Sequence, residues 1–150
     1  MSITVELEDM STHPEESNRV MDILASESAE VSHYGIDRQW VMDLLQSKQI
    51  EALVARQSGA LVGIVLFTTH PLWYTKDVMG VSDLLVWVDP GYRRGGVFVQ
   101  MIMALEDHAA AIGAKCVQLN QSTGINVQKT ASLYAKMGYR VIGFLSSKEV

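Results

Sequence analysis

The spacing of apolar residues along this chain alternates between a period of two, typical of strands, and a period near 3.6, typical of helices. The amino-terminal half predicts a half-buried strand, two amphipathic helices and a β-hairpin around Ser58-Gly59. The second helix takes Asp37 as its N-cap, and Trp40 belongs to its expected buried stripe. The predicted elements are a strand over 3–7, helices that begin near Pro14 and after Asp37, and hairpin strands over 51–57 and 60–69.

The carboxyl-terminal half predicts strands that alternate with helices, after a loop rich in large side chains. Gly113 and Gly138 are expected to end the two helices. The predicted elements are a loop over 70–80, strands over 81–89, 115–120 and 139–145, and helices over 98–112 and 127–137. Antiparallel hairpins followed by a βαβ crossover predict an α/β fold, with a central mixed, mostly antiparallel sheet and helices on both faces.

Length and charge exclude several classes of protein. The 150 residues predict one domain over 1–150, which can bury a core without disulfides. The net charge of −5 argues against nucleic-acid and anionic-membrane partners. The sequence has no apolar run long enough for a membrane span and no signal-peptide pattern, so we expect a cytoplasmic protein. The single cysteine, Cys116, and the scattered histidines predict no metal site.

The stretch Val86–Phe98, which runs from the end of a predicted strand into a predicted helix, is the most informative part of the chain. Its two arginines supply positive charge, and the two glycines after them let backbone N–H groups come close to a ligand. The following helix directs the positive end of its dipole to the same point. This combination predicts a receptor for a phosphate or pyrophosphate group. The alternative is a surface turn with solvated arginines.

Two motifs make the chain resemble the GNAT superfamily of acyl-CoA-dependent N-acyltransferases. The run Val88–Gly96 is similar to the family's strand-to-helix motif with its R-x-x-G-x-G/A core, and Leu133–Tyr139 is similar to its L-Y-x-x-x-G-F motif. The order of elements agrees over nearly the whole chain. The run Asp83–Pro90 is also similar to a subgroup frequent in phage genomes.

The sequence departs from the family pattern at two positions. Phe98 stands at the motif's second small position, where it is expected to crowd the approach of helix and cofactor. Asn126 lies one residue further from Tyr134 than in the family's usual spacing. The first departure bears on cofactor affinity, and the second on any role of Asn126.

The resemblance implies that the protein is an N-acetyltransferase. An acetyl group would move from acetyl-CoA to a primary amine by direct attack in a ternary complex. The strand before the motif would pair with the pantetheine arm of coenzyme A, and the Val88 amide would face the thioester oxygen. The residues expected to bind coenzyme A are Val86, Trp87, Val88, Arg93, Arg94, Gly95, Gly96, Val97 and Phe98.

Two residues are expected to be catalytic. Tyr134 would protonate the departing thiolate as a general acid, unless it is simply a core residue. Asp83 would accept a proton from the acceptor amine, working through water, unless it is a solvated residue at a strand end. His70 is a rival base, because imidazoles titrate near neutrality.

Three aromatic residues are candidates for the acceptor pocket, which the resemblance places beside the second helix and the loop before the central strand. They are Trp40, Trp73 and Tyr74, with core packing as the alternative. The acceptor is a small-molecule or protein amine, and a homodimer is compatible with the sequence. A different class of function also fits, a catalytically weak or inactive binding module of this fold that acts on a protein partner. Phe98 favours that alternative.

Overall fold

The computed structural model describes residues 2–120 and 127–150, and its centre is a five-stranded sheet with the order β1-β2-β3-β4-β5. The strands are β1 (Ile3–Glu8), β2 (Glu51–Gln57), β3 (Ala60–Leu72), β4 (Thr75–Val88) and β5 (Cys116–Gln118). The helices are α1 (Pro14–Glu27), α2 (Ala29–Tyr34), α3 (Arg38–Gln46), α4 (Val97–Ala111) and α5 (Val127–Lys136). Neighbouring strands are antiparallel except for β4 and β5, which are parallel. The predicted mixed, mostly antiparallel sheet is confirmed.

Helices cover both faces of the sheet, as predicted, and each face has its own apolar core. Alternation along β2 sends Leu53 and Ala55 to one face and Ala52 and Val54 to the other. Helix α4 packs against the first face through Val97, Met101, Leu105 and Ala109. Helices α1 and α3 pack against the second through Val20 and Leu45. Among the described residues, no helix combines the length and apolar character needed to cross a membrane.

Helix α4 can lie close to the sheet because β3 carries a glycine beneath it. A Cβ at Gly63 would stand 2.8 Å from the Met101 sulfur and 3.1 Å from a methyl carbon of Val97. We therefore expect Gly63→Ala to lower the free energy of unfolding by about 1–3 kcal/mol, because the added methyl overpacks this contact. Denaturant unfolding measures the change. Gly143→Ala is the control, since a Cβ there meets no described atom within 4 Å; equal stability of the two variants would contradict the prediction.

The predicted loop over 70–80 is wrong, because this segment is the outer half of a long hairpin. β3 continues to Leu72 and β4 begins at Thr75, with His70 opposite Gly80 and Pro71 opposite Met79. Proline is tolerated in strands at bulges, and the register shifts next to Pro71. The sequence pattern did not show this, since the hairpin is held by pairing between the two strands.

Two further predictions about the elements are wrong. The short helix α2 was not predicted; Ser28 caps it by accepting a hydrogen bond from the Val31 amide at 3.2 Å. The predicted strand over 139–145 does not form, and residues 139–150 contain neither helix nor strand. The apolar alternation there suits a strand, but a strand also needs a partner, which local sequence does not specify. β5 is likewise shorter than the predicted 115–120.

Candidate active site

A gap opens in the sheet between β4 and β5. The two strands pair only from Gly80 to Ser82, opposite Cys116–Gln118. Directly after this pairing, an Asp83 carboxylate oxygen accepts hydrogen bonds from the backbone N–H of Asn120 at 2.8 Å and from its side-chain amide at 3.1 Å. Beyond Asp83, β4 has no strand on this side within the described part of the chain. The Asp83–Asn120 contact therefore marks the narrow end of the gap.

The free edge of β4 offers backbone groups to the gap. The Asp89 amide donates to the Val62 carbonyl of β3 at 2.9 Å. Because backbone groups alternate in direction along a strand, the amides of Val86 and Val88 point away from β3 and into the gap. Nearer the narrow end the register of β4 shifts, which leaves Leu84 as an extra, bulged residue. An extended chain of amides can add to such an edge as a further strand.

The loop after β4 leads to an open helix N-terminus. A single 3-10 turn (Pro90–Tyr92) is held by Asp89, whose carboxylate accepts from the Gly91 amide at 2.9 Å and pairs with Arg19 of α1. Gly96 then begins α4 with a φ of 78°, a conformation that favours glycine. No side chain caps this helix, and a Cβ at Gly96 would meet no described atom within 4 Å. The first N–H groups of α4 are therefore available to an anion.

The two arginines of the loop have different surroundings. The Arg93 guanidinium forms a bidentate pair with Glu27, at the end of α1, with N–O distances of 2.6 and 2.5 Å, and its Nε donates to the Val88 carbonyl at 3.0 Å. This pairing lowers the pKa of Glu27 and raises that of Arg93. Arg94 is exposed. Arg93 thus fastens the loop to α1, and Arg94 is the arginine open to a ligand.

Tyr134 lies in a stack of aromatic rings between α4 and α5. Its ring is 7% exposed, stacks on Phe98 with centroids 5.8 Å apart, and lies 5.8 Å from the ring of Tyr139. The Tyr139 hydroxyl donates to Glu106 at 2.7 Å. Phe98 thus packs in the interface between α4 and α5. Phe98 is therefore in contact with the candidate acid, and its expected effect on the approach of the cofactor stays a prediction.

Asp83, the candidate base, is only 4% exposed. Burial raises its pKa above the ordinary value, and the hydrogen bonds from Asn120 act in the opposite direction. Burial also raises the pKa of Tyr139, and the charges of Glu106, Tyr134 and Asp83 add to that effect. The ring contact with Tyr134 and the charge of Asp83 both act on Tyr139, so Tyr139 lies between the candidate acid and the candidate base.

The three candidate acceptor residues are all on the surface, so the expectation that Trp40 is buried is wrong. Trp40 is 58% exposed on α3, while Trp73 and Tyr74 are 94% and 67% exposed at the turn between β3 and β4. The rings of Trp73 and Tyr74 contact each other edge to face, with centroids 5.4 Å apart. Core packing does not explain exposed aromatic residues.

Sequence reasoning missed the partners that hold the site in place. Glu27 and Arg19 lie on α1, and Asn120 follows β5, all far along the chain from the residues they contact. No motif or spacing indicated them, because ion pairs across a fold leave no local pattern. Asn126, singled out for its displaced position, lies outside the described residues. Among the residues that the structure does describe, no group of three or more metal-binding side chains comes together.

The chain is similar to a known protein family and to several solved structures. The model of the acetyltransferase (GNAT) family matches residues 5–139. The chain is similar to the ribosomal-protein-alanine N-acetyltransferase from Brucella melitensis biovar Abortus 2308, with 24% identity, a TM-score of 0.71, and 100% of this chain and 99% of that chain covered. It is similar to an aminoglycoside acetyltransferase, HMB0005, from an uncultured soil metagenomic sample, with 22% identity, a TM-score of 0.70 and the same coverage.

A third similar structure is AAC(6')-Iy in complex with the bisubstrate analogue CoA-S-monomethyl-acetylneamine. The identity is 15%, the TM-score is 0.72, and 100% of this chain and 99% of that chain are covered. No curated protein matches the chain. At these identities, the likeness to solved structures establishes the fold.

A sheet that opens between two parallel strands, with a helix N-terminus beside the opening, can bind an extended ligand that ends in an anionic group. The match over residues 5–139 makes the assignment specific: the chain belongs to the acetyltransferase (GNAT) family, and the protein is an N-acetyltransferase. The acetyl donor of this family is acetyl-CoA.

Proposed function

We propose that the protein transfers an acetyl group from acetyl-CoA to a primary amine by direct attack in a ternary complex. The observation that carries the proposal is the free edge of β4, which ends at the open N-terminus of α4. One extended ligand with an anionic end fits both features. The cytoplasmic location stays a prediction from the sequence.

The residues beside the gap fit coenzyme A. The first amides of α4, at Val97 and Phe98, and the Arg94 side chain would bind the pyrophosphate, with Gly95 and Gly96 giving room for its approach. The edge of β4 at Val86–Val88 would pair with the amides of the pantetheine arm. Trp87 is 4% exposed within the core of the second face, and the alternation along β4 directs its backbone amide towards β3, so the proposed pairing is made by Val86 and Val88 and not by Trp87.

The direction of the bound arm follows from Arg93. The Arg93 side chain bonds to the Val88 carbonyl, so Val88 lies at the loop end of the gap, where the phosphates of coenzyme A would bind. The thioester then lies towards the narrow end, beside Tyr134 and Asp83. We therefore propose the Val86 amide, instead of the Val88 amide expected from the sequence, as the donor to the developing oxyanion.

Tyr134 and Asp83 are the proposed acid and base. Tyr134 would donate its hydroxyl proton to the departing sulfur. This step raises the rate because coenzyme A leaves more easily as a neutral thiol than as a thiolate. Asp83 would accept a proton from the amine through water. Its raised pKa makes its carboxylate a better base than an ordinary aspartate.

The acceptor is proposed to be an amine on a small molecule or a protein. The exposed aromatic rings Trp40, Trp73 and Tyr74 are the proposed contacts, since such rings attract ammonium groups as well as apolar surfaces. The net charge of −5 also favours a cationic acceptor. The aminoglycoside acetyltransferase among the similar structures makes polyamine-like antibiotics one class to include in a screen.

Calorimetric titration with acetyl-CoA, followed by a screen of amines for thiol release, tests this function. We expect a dissociation constant in the range of about 1 μM to 1 mM, typical of enzyme substrates, and release of free thiol only when a suitable amine is present. Binding without thiol release by any amine would favour the alternative of a binding module that acts on a protein partner. No binding at millimolar acetyl-CoA would contradict the proposed function.

A further inference from the structure

Three polar side chains from neighbouring strands form a hydrogen-bonded chain at the narrow end of the gap. The Nε2 atom of His70 (β3) lies 2.8 Å from the Ser82 hydroxyl (β4), which lies 3.3 Å from the Gln118 side-chain oxygen (β5). Ser82 and Gln118 form the last pair between β4 and β5. These hydrogen-bonded side chains therefore lie at the point where the sheet opens, and Ser82 is next to Asp83 in sequence.

The second contact of His70 fixes its neutral tautomer. Its Nδ1 lies 2.9 Å from the Pro71 carbonyl oxygen, which can only accept. Nδ1 must then carry the proton, so in neutral His70 the Nε2 atom is an acceptor. The Ser82 hydroxyl donates to Nε2 in this state. In this arrangement the histidine accepts a hydrogen bond from the serine hydroxyl, and a backbone carbonyl orients the histidine ring.

A protonated His70 reverses the direction of the chain. Nε2–H then donates to the Ser82 oxygen, and the Ser82 hydroxyl turns to donate to the Gln118 oxygen. Every donor has an acceptor in both states. The three residues can therefore take up one proton at His70 without leaving a hydrogen-bond donor unpaired, and the Gln118 oxygen accepts from Ser82 only in the protonated state.

We propose that His70 and Ser82 form the relay that removes the proton from the acceptor amine. As the lone pair of the neutral amine forms the nitrogen–carbon bond, the nitrogen becomes positively charged and its N–H proton passes to the Ser82 oxygen. The Ser82 hydroxyl proton passes at the same time to His70 Nε2, and the new Ser82 hydroxyl donates to Gln118. His70 releases its proton to solvent after the turnover. The inference rests on the proposed acetyl transfer, and it assigns the proton of the amine to this relay instead of to Asp83, the base named above.

The relay lies on the opposite face of the sheet from the proposed acid. Ser82 and Asp83 are neighbours on β4 and project to opposite faces, and Asp83 lies on the same face as α4. The thioester in the gap is then reached from two sides. The amine would be deprotonated from the face of α1 and α3, and the thiolate protonated from the face of Tyr134. Acid and base that act on different sides do not neutralise each other.

In the part of the chain that the structure describes, the groups bonded to the His70 ring are uncharged. Among the described residues, its two ring nitrogens contact uncharged oxygens, those of Pro71 and Ser82. From β5, strand alternation puts the Cys116 thiol on the same face as Gln118. On β4, the exposed Lys76 and Asp77 lie in the irregular part of the hairpin, and Asp83 projects to the other face.

The pH dependence of kcat/KM tests the relay. We expect His70→Gln and Ser82→Ala each to lower kcat about 100-fold, and to remove the limb in which the rate rises with pH. Ser82→Thr keeps the hydroxyl and should keep that limb. The controls are His33→Gln, an exposed histidine on α2, and Thr69→Val, which removes a hydroxyl that has no hydrogen-bond partner among the described residues. Asp83→Asn is measured alongside; if only that variant loses the limb, Asp83 is the base and the relay is refuted.

Ring nitrogen shifts measured by NMR test the same chain without any turnover. We expect neutral His70 to carry its proton on Nδ1, and Ser82→Ala to change the Nε2 shift while His33 stays as it is. A proton on Nε2 would overturn the relay, whatever the activity. If the tautomer is as expected but no amine is acetylated, the proposed function has failed and the relay has no reaction to serve. Normal kcat in a folded His70→Gln variant would also refute it.

Discussion

Tyr134→Phe is expected to lower kcat by about 100-fold to 10,000-fold, which is the usual contribution of a general acid, with little change in the affinity for acetyl-CoA. The substitution removes one hydroxyl and leaves the ring that stacks on Phe98 and packs against Tyr139. Without the hydroxyl, the thiolate must leave unprotonated. Steady-state kinetics with a good acceptor amine, together with calorimetric titration of acetyl-CoA, measure both effects.

Tyr139→Phe is the matched control, since it removes a hydroxyl from the neighbouring ring that donates to Glu106. That variant should be somewhat less stable but nearly as active as the native enzyme. If Tyr134→Phe retained native kcat while folding normally, Tyr134 would be a packing residue. A parallel loss of acetyl-CoA affinity would instead show that the hydroxyl supports the binding site.

Arg94→Ala is expected to weaken the binding of coenzyme A about 10-fold to 100-fold, because one charge-assisted contact to a phosphate contributes roughly 1.5–3 kcal/mol. Arg93→Ala should weaken it less, since the Arg93 guanidinium is already paired with Glu27. The main effect of Arg93→Ala should be a less stable loop. Calorimetric titration with coenzyme A and a thermal melt separate the two consequences.

Glu27→Gln decides which arginine binds the phosphates. Removing the carboxylate charge frees Arg93, so binding should stay the same or become tighter, and the loop should become less stable. Arg38→Ala serves as a control, because it breaks another pair with a residue of α1, Asp22, away from the loop. If Arg93→Ala weakened binding more than Arg94→Ala, Arg93 would leave Glu27 to bind the phosphates and the assignment would be reversed.

The sequence predicted most of the framework of this site because the relevant patterns are local. The helix N-terminus after Gly96 and the position of Tyr134 before Gly138 both follow from motifs of fewer than a dozen residues. The alternation in the strands predicted a sheet with helices on both faces, and the structure confirms it. These features depend on backbone conformation and on which side of an element is apolar, and short stretches of sequence specify both.

The errors lie where a segment depends on distant partners. The large side chains after His70-Pro71 predict a loop over 70–80, whereas pairing between β3 and β4 makes this segment a hairpin. The segment over 139–145 has the alternation of a strand but no strand partner among the described residues. Trp40 was assigned to a buried stripe, and only the packing of α3 shows that it points outwards.

By itself, then, the sequence determined the class of fold, the open helix N-terminus after Gly96 and the place of Tyr134 on the last helix, since each is specified by neighbouring residues. Only the tertiary structure decided that Arg93 is held by Glu27, that Asn120 binds Asp83 at the narrow end of the gap, and that His70 meets Ser82. These pairs are separated by 66, 37 and 12 positions along the chain. Hydrogen bonds and ion pairs act over a few ångströms, and folding alone determines which side chains come that close.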